Sequence, residues 1–289
     1  MLRQRIFTAV IMLAIFLPAL FHADTRFFFA LTLVLMAAAA WEWGRLNGLQ
    51  RGGAAGLSLL FFLWCAASWA AGLAVRDLSW LWSLAGLVWV LGGGLLLARG
   101  QAAWHDLSRF SRCALGLLLL WAAWLAVVQA RVLGIDMLLS VLTLVWIADV
   151  AAYFVGRALG GRFIGRKLAP AISPGKSWEG ALGGALAVLV LGVVWVLVEI
   201  DLALPIQERG IQGQLLDRHG AVLLALALLF LTAMSIVGDL VESLLKRNAG
   251  VKDSSGLLPG HGGVLDRVDA LLPVLPLAMM LLSYRGATA

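Results

Sequence analysis

Long apolar stretches alternate with short polar connectors along almost the whole chain. Windows of about 20 residues, which cross roughly 30 Å of hydrocarbon as a helix, identify nine candidate spans. These are residues 6–22, 26–43, 57–75, 78–98, 112–130, 135–156, 178–199, 219–242 and 270–284. The segments lack the alternation of barrel strands, and backbone groups in lipid must be satisfied within the segment. The pattern therefore predicts an all-α polytopic membrane protein with about nine transmembrane helices.

Two long polar segments, residues 157–177 and 243–269, interrupt this pattern. They are long enough to carry function, whereas residues 44–56 and 99–112 are short connectors. We therefore divide the chain into residues 1–134, with about five spans, and residues 135–289, a catalytic transmembrane region that contains both polar segments. Asp149 lies in the sixth span and Asp239 in the eighth, near the same membrane face as these segments.

Composition and charge support this layout and suggest an orientation. The chain is 62% hydrophobic and 13% charged, whereas soluble domains are roughly 25% charged. With the N-terminus in the cytoplasm, most of the 22 Lys and Arg residues fall on the cytoplasmic side, as membrane proteins prefer. This places both polar segments in the cytoplasm, and residues 200–218 and the C-terminus outside. The net charge of +6 is explained by the excess of basic residues on the cytoplasmic side and by their attraction to anionic lipids. We therefore expect no nucleic-acid partner.

The polar segment from Ser243 to Asp269 concentrates the candidate chemistry. Nucleotide phosphoryl chemistry needs cations for phosphate and carboxylates for a metal ion, and this segment holds both. Its glycines let the backbone bend closely around a ligand. The candidates are Ser243, Lys246, Arg247, Lys252, Asp253, His261, Gly262, Gly263, Asp266, Arg267 and Asp269.

A second candidate site precedes the seventh span, in the sequence Ile-Ser-Pro-Gly-Lys-Ser-Trp-Glu-Gly from Ile172 to Gly180. Ser177 is suited to cap the helix, whose N-terminus offers free N–H groups to an anion. Lys176 adds a formal charge, and the spacing is not that of a Walker loop. We take Ser173, Lys176, Ser177 and Glu179 as substrate-binding candidates. The alternative is a capped helix with an interfacial lysine.

Acidic residues at membrane depth are costly to bury and are functional candidates. Asp149 is a substrate-binding candidate, with a structural ion pair or helix contact as the alternative. Asp239 could join Asp266 and Asp269, which would share one face if a helix begins there. Three carboxylates suit Mg²⁺, which takes one or two of them and fills its shell with water and phosphate oxygens. For Asp266 and Asp269 the alternative is helix capping or pairing with Arg267.

Two further polar residues leave more than one role open. His261 has no second His or Cys at ligand spacing, so metal binding is disfavoured. We expect it to contact phosphate or ribose, to order the loop, or to donate a proton to a leaving group. Glu42, at the end of the second span, is either structural or functional.

Both motifs resemble those of the phosphatidate cytidylyltransferases, the CDP-diacylglycerol synthases. The Ser243–Asp269 run shows no departure from the C-terminal motif of that family, and the Ile172–Gly180 run resembles its Ser-Pro-x-Lys-(Ser/Thr)-x-Glu-Gly element. The resemblance is specific over residues 143–283. It implies transfer of a cytidylyl group from CTP to phosphatidate, giving CDP-diacylglycerol and pyrophosphate, in the cytoplasmic (inner) membrane of a bacterium. It also implies Mg²⁺, with or without a second cation, and a homodimer.

The resemblance also assigns roles to the candidates. The catalytic set comprises Asp239, Lys246, Arg247, Lys252, Asp253, His261, Asp266, Arg267 and Asp269, with Asp239, Asp266 and Asp269 at the metal. How the basic residues divide between nucleotide and lipid stays open.

Two other functions fit part of this pattern. An ion-coupled transporter also has buried carboxylates, but it does not need a dense polar run on one face. A membrane lipid-alcohol kinase would make a lipid monophosphate rather than a diester of cytidine.

Overall fold

The computed structural model describes residues 2–283, with side chains described from Gln4 onward. Helices dominate it. They are α1 (Leu2–Phe21), α2 (Arg26–Leu46), α3 (Arg51–Ala70), α4 (Ser79–Leu87), α5 (Gly94–Arg99), α6 (Gln101–His105), α7 (Arg109–Leu133), α8 (Ile135–Leu159), α9 (Trp178–Asp201), α10 (Ile211–Asn248), α11 (Leu265–Val268) and α12 (Leu271–Ser283). A π-helical turn, Val88–Gly93, joins α4 to α5, and short 3₁₀ turns cover Leu73–Val75 and Ile206–Glu208.

The predicted class, an all-α polytopic membrane protein, is confirmed. Eight helical segments of the described chain are long and apolar enough to cross a membrane, and α4, the π turn and α5 together form one of them. The predicted ninth span corresponds to α12, which has 13 residues and is about 20 Å long at 1.5 Å per residue. The count of nine is therefore not confirmed. Residues 284–289, and with them the predicted outer C-terminus, lie outside the described residues.

Helix α12 lies inside the bundle. It packs against α4, α7, α8 and α10, and Val274 and Leu277 are fully buried. By contrast, α1 and α9 keep most of their apolar surface exposed, as expected for helices that face lipid. The short helix is thus a core element that connects the polar segment before it to the centre of the bundle.

Small residues bring α8 and α9 close together. A Cβ atom added at Gly180 would lie 2.7 Å from the carbonyl oxygen of Ala152, and one at Gly184 would lie 2.8 Å from that of Ala148. Larger side chains at either glycine would push the helices apart. This close contact places the start of α9 beside the part of α8 that carries Asp149.

The polar segment before α9 forms a small hairpin that the sequence pattern does not predict. Strands β1 (Lys167–Ala169) and β2 (Ser173–Ser177) are antiparallel, with Lys167 opposite Ser177. The hairpin ends directly at the first residue of α9. It therefore fixes the position of Lys176, which lies on β2.

Part of the predicted connector before the eighth span is helical. Helix α10 runs from Ile211 to Asn248, but Gly220 has a left-handed φ of 77° and divides it into two helices. The first is anchored by buried side chains, since Gly210 N–H donates to Glu199 Oε1 (2.6 Å) and Ile211 N–H to Ser140 Oγ (2.9 Å). Residues 211–219 therefore belong to the bundle and not to a free loop.

The two ends of α9 provide a test of topology. This helix has 24 residues and is about 36 Å long, enough to cross a bilayer. Gly175 precedes it and Gln207 follows it, and both are exposed. In a variant without Cys65 and Cys113, single cysteines at Gly175 and Gln207 should react with a membrane-impermeant thiol reagent from opposite sides, with Gly175→Cys cytoplasmic. Reaction of both from one side would contradict the span.

Candidate active site

The polar segment after α10 is fixed to the bundle by Glu42 of α2, which is fully buried. Glu42 Oε1 accepts hydrogen bonds from Ser255 Oγ (2.5 Å) and Val264 N–H (2.9 Å). Glu42 Oε2 accepts from Leu265 N–H (2.7 Å). Ser254 Oγ lies 3.3 Å from Glu42 Oε2 and 2.8 Å from Asp266 Oδ2, and its one proton goes to the nearer Asp266. Three donors therefore meet the two oxygens of Glu42, which suits a carboxylate and not an amide. The sequence leaves the role of Glu42 open, and in this structure Glu42 anchors the polar segment to α2.

Asp266 forms a second anchor inside the same segment. Its Oδ1 accepts from Lys246 Nζ (2.6 Å), and its Oδ2 accepts from Ser254 N–H (2.9 Å), Ser254 Oγ (2.8 Å) and Gly263 N–H (2.7 Å). Burial acts to raise the pKa of Asp266, but Lys246 and the N–H and O–H donors outweigh it and lower this pKa to about 2. Asp266 is therefore ionised at neutral pH and holds residues 254–263 in a closed loop.

Lys246 connects this loop to α10. Its ammonium group contacts both Asp266 and Glu242, which lies one turn earlier on α10 and is buried. Glu242 is not among the residues predicted from sequence. Its spacing of four residues from Lys246 is the available signal, because that spacing brings two side chains together on a helix. The predicted role of Lys246 in binding phosphate is untested, and in this structure its single positive charge is shared between two carboxylates.

A second group of charges lies around Asp239. Lys176 Nζ is 2.5 Å from Asp239 Oδ2, and Ser243 Oγ donates to Asp239 Oδ1 (3.2 Å). Asp269, at the junction of α11 and α12, accepts from Ala270 N–H (2.8 Å). Burial raises the pKa of Asp269, and the nearby charges of Asp239 and Asp149 raise it further. Carboxylates from α8, α10 and the α11–α12 junction therefore face one region, together with one lysine from β2.

The predicted three-carboxylate metal site is not assembled in this form. Across residues 2–283, no three His, Cys, Asp or Glu side chains are grouped closely enough to hold a metal ion. Asp269 continues the helical turn of α11, since its φ and ψ are both −49° and its N–H donates to the carbonyl oxygen of Leu265 (3.1 Å). The predicted shared face of Asp266 and Asp269 therefore stays a prediction. The side chain of Asp266 is bonded to Lys246 and Ser254, whereas the charge of Asp239 acts on Asp269. Asp239 and Asp269 remain the pair of hard oxygen ligands that fits Mg²⁺.

The start of α9 has the geometry predicted for a capped helix. Ser177 Oγ accepts from Gly180 N–H (3.1 Å), which confirms the N-cap. Glu179 Oε1 accepts from the N–H groups of Gly161, Phe163 and Ile164, at 3.0, 3.2 and 2.9 Å. Glu179 therefore holds the turn after α8, and its predicted contact with substrate is untested. Ser173 lies at the first position of β2.

The other predicted residues divide into an exposed group and a loop group. The side chains of Lys252, Asp253 and Arg267 are exposed, and no described contact fixes their roles. Arg247 is also exposed, and its Nε donates to the carbonyl oxygen of Ile172 (3.4 Å). This bond joins the end of α10 to the β1–β2 hairpin, so the two polar segments meet.

The loop residues have close contacts with the two anchors. Gly262 has a left-handed φ of 83°, and a Cβ atom there would lie 2.8 Å from Asp266 Oδ2. A Cβ atom at Gly263 would collide with Glu42 and Ser254. Among the described residues, no hydrogen-bond partner faces the buried Nδ1 of His261. The glycines are thus required by packing, and the predicted ligand contacts of all three residues stay predictions.

Comparison with known proteins places this arrangement in a family. The model of the cytidylyltransferase family matches residues 3–285. The chain is 39% identical to a phosphatidate cytidylyltransferase of Pseudomonas aeruginosa, over 99% of this chain and 98% of that protein. It is 36% identical to the phosphatidate cytidylyltransferase of Haemophilus influenzae over 96% of both chains. The phosphatidate cytidylyltransferase of Staphylococcus haemolyticus is 32% identical to this chain, over 97% of this chain and 99% of that protein.

The Glu42 anchor predicts the effect of a nearly isosteric change. Glu42→Gln leaves one acceptor oxygen and adds an N–H₂ group, so a buried N–H of Val264 or Leu265 loses its partner. We expect the free energy of unfolding to fall by about 1–3 kcal/mol, and amide hydrogen exchange at residues 254–265 to become faster. Glu208→Gln, which changes an exposed carboxylate, is the control. Wild-type exchange in Glu42→Gln would contradict the anchoring role.

Proposed function

The chain belongs to the cytidylyltransferase family, and on this premise we propose that it transfers a cytidylyl group from CTP to phosphatidate. The products are CDP-diacylglycerol and pyrophosphate. It is a nucleotidyltransferase embedded in a membrane by apolar helices. One observation carries the proposal: two motifs about 60 residues apart meet in space. Arg247 Nε donates to the carbonyl oxygen of Ile172, and Lys176 forms an ion pair with Asp239, four residues before Ser243.

The chemistry explains why such a meeting point is needed. A phosphate oxygen of phosphatidate forms a bond to the α-phosphorus of CTP, and the bond from that phosphorus to the bridging oxygen of pyrophosphate breaks. The nucleophile is already an anion, so removal of a proton is not the main obstacle. The two reactants repel each other, and negative charge grows on the departing pyrophosphate. Catalysis therefore depends mainly on positioning and on positive charge placed in advance.

Lys176 is the residue best placed to supply that charge. It lies at the end of β2, immediately before the N-cap of α9, and it forms an ion pair with Asp239. The pair is partly exposed, with 26% of the Lys176 side chain and 32% of the Asp239 side chain accessible. The phosphate groups of a bound triphosphate can replace Asp239 as the partner of Lys176, while the helix N-terminus adds its partial positive charge. Asp239 is then freed.

The carboxylates of Asp239 and Asp269 fit the Mg²⁺ ion that the family resemblance implies. They are hard oxygen ligands with too little positive charge around them, since the charge of Asp239 raises the pKa of Asp269. Mg²⁺ bound there would offset the charge of the phosphates and of the leaving group. Asp266 is already bonded to four donors and positions the loop. A second cation, and the contribution of Asp149, stay predictions.

Orientation and assembly are further parts of the proposal. The excess of basic residues favours a cytoplasmic position for both polar segments, where CTP is found, in a bacterial cytoplasmic membrane. The exposed side chains of Arg247, Lys252 and Arg267 are then available to nucleotide or lipid phosphates. A homodimer remains an expectation from the family. Neither a transporter nor a lipid-alcohol kinase is supported by the family match.

An isotope experiment tests the reaction itself. Purified protein is incubated with phosphatidate, Mg²⁺ and CTP labelled either at the α- or at the γ-phosphorus. We expect the α label to enter the lipid and the γ label to appear in pyrophosphate. Transfer of the γ label to lipid would indicate a kinase, and no transfer of either label would contradict the proposal.

Asp239→Asn should lower turnover by at least about 10²-fold.

Two substitutions of Lys176 test whether its positive charge is needed for activity. Lys176→Arg keeps the positive charge, whereas Lys176→Gln removes it at similar length. We expect kcat/KM for CTP to stay within about tenfold of wild type in Lys176→Arg and to fall at least about 10²-fold in Lys176→Gln. Rates are normalised to folded protein. Equal kcat/KM values for wild type and Lys176→Gln would remove Lys176 from the site.

A further inference from the structure

An apolar cavity of about 360 Å³ adjoins the site at Glu242 and Leu265. Its volume lies within the roughly 300–1,000 Å³ of small-molecule sites. Its walls come from α2, the π turn with α5, α6, α7, α10, α11 and α12. Apolar side chains on the wall include Trp43, Val88, Trp89, Leu96, Leu119 and Leu245.

The cavity is continuous with the site described above. Glu242, which contacts Lys246, and Leu265, whose N–H donates to Glu42, both line it. The exposed residues Arg99 and Asp106 also line it. Apart from Glu242, Arg99 and Asp106, the wall formed by the described residues carries no charged side chain. A ligand that fits must therefore be mainly hydrocarbon, with its polar part directed towards Glu242 and Lys246.

Backbone geometry makes room for the cavity. The π-helical turn Val88–Gly93 belongs to the rare class of helix distortions that are frequent at functional sites. Two of its residues on the wall, Gly92 and Gly93, have no side chain. A Cβ atom at Gly92 would meet only Val88 Cγ1, at 3.8 Å. The space beside Gly92 is therefore open and not filled by packing.

The cavity also reaches the surface of the protein. Leu95 and Leu107 belong to its wall, and 50% and 38% of their surfaces are exposed. Leu95 lies in a span that is long enough to cross the membrane. An alkyl chain can therefore enter from the bilayer without crossing water, whereas a nucleotide cannot use this route.

We propose that this cavity binds one acyl chain of the lipid substrate, with the carbonyl end of the chain towards Glu242. The proposal rests on the proposed function and adds the source of lipid selectivity. Each methylene that is buried strengthens binding about fourfold. The length of the cavity therefore makes the KM for phosphatidate depend on acyl-chain length, while the chemistry at Lys176 and Asp239 does not depend on it.

The test fills the cavity from its glycine wall. Gly92→Leu places a side chain in the open space, and Gly94→Leu is the matched control, because a Cβ atom there meets nothing within 4 Å and Gly94 does not line the cavity. Substrates are dihexanoyl- and dioleoyl-phosphatidate in detergent micelles. We expect Gly92→Leu to raise the KM for the dioleoyl lipid at least about tenfold, to leave kcat within about twofold, and to spare the dihexanoyl lipid. Gly94→Leu should match wild type with both.

Other results overturn the assignment in distinct ways. A Gly92→Leu variant with wild-type KM for both lipids shows that the cavity does not hold the substrate chain. An equal loss with both lipids shows a structural role, with a resident membrane lipid as the occupant. If Gly92→Leu does not fold, Leu119→Phe fills the same cavity from α7 and must give the same dependence on chain length. Absence of turnover in the wild-type protein would instead defeat the proposed function.

Discussion

The structure depends on how buried carboxylates are supplied with donors inside an apolar bundle. An ionised side chain that is removed from water is stable only when its oxygens are hydrogen-bonded or paired. Glu42 meets this constraint with three donors from residues 255–265, and Asp266 meets it with Lys246, Ser254 and Gly263. These bonds hold a long polar segment against α2 and α10.

The same constraint separates the acidic residues by role. Glu42, Asp266 and Glu179 each accept several hydrogen bonds, and each holds a loop. Asp239 and Asp269 have fewer partners, since Asp239 pairs with Lys176 and accepts from Ser243 Oγ, and Asp269 accepts from Ala270 N–H. Burial and the negative charge of Asp239 raise the pKa of Asp269, so a second full negative charge at this place is disfavoured. A metal ion bound there would offset that charge.

The sequence predicts features that depend on local information. The membrane spans follow from composition over about 20 residues, and the Ser177 cap from a few neighbouring residues. The role of Glu42 could not be predicted, because its partners lie more than 200 positions away. The partners that hold Asp266, namely Lys246 and Ser254, lie 20 and 12 positions away in the chain, so they too could not be predicted from local spacing.

Anchoring charges and reacting charges thus form separate groups in this protein. A structure of the protein with CTP and Mg²⁺ tests this separation most directly. We expect Lys176 Nζ to leave Asp239 and to lie within hydrogen-bond distance of a phosphate oxygen, while the bonds of Glu42 to Val264 and Leu265 and of Asp266 to Lys246 stay intact. A triphosphate bound away from Lys176, or a bound state in which Asp266 releases Lys246, would contradict the separation.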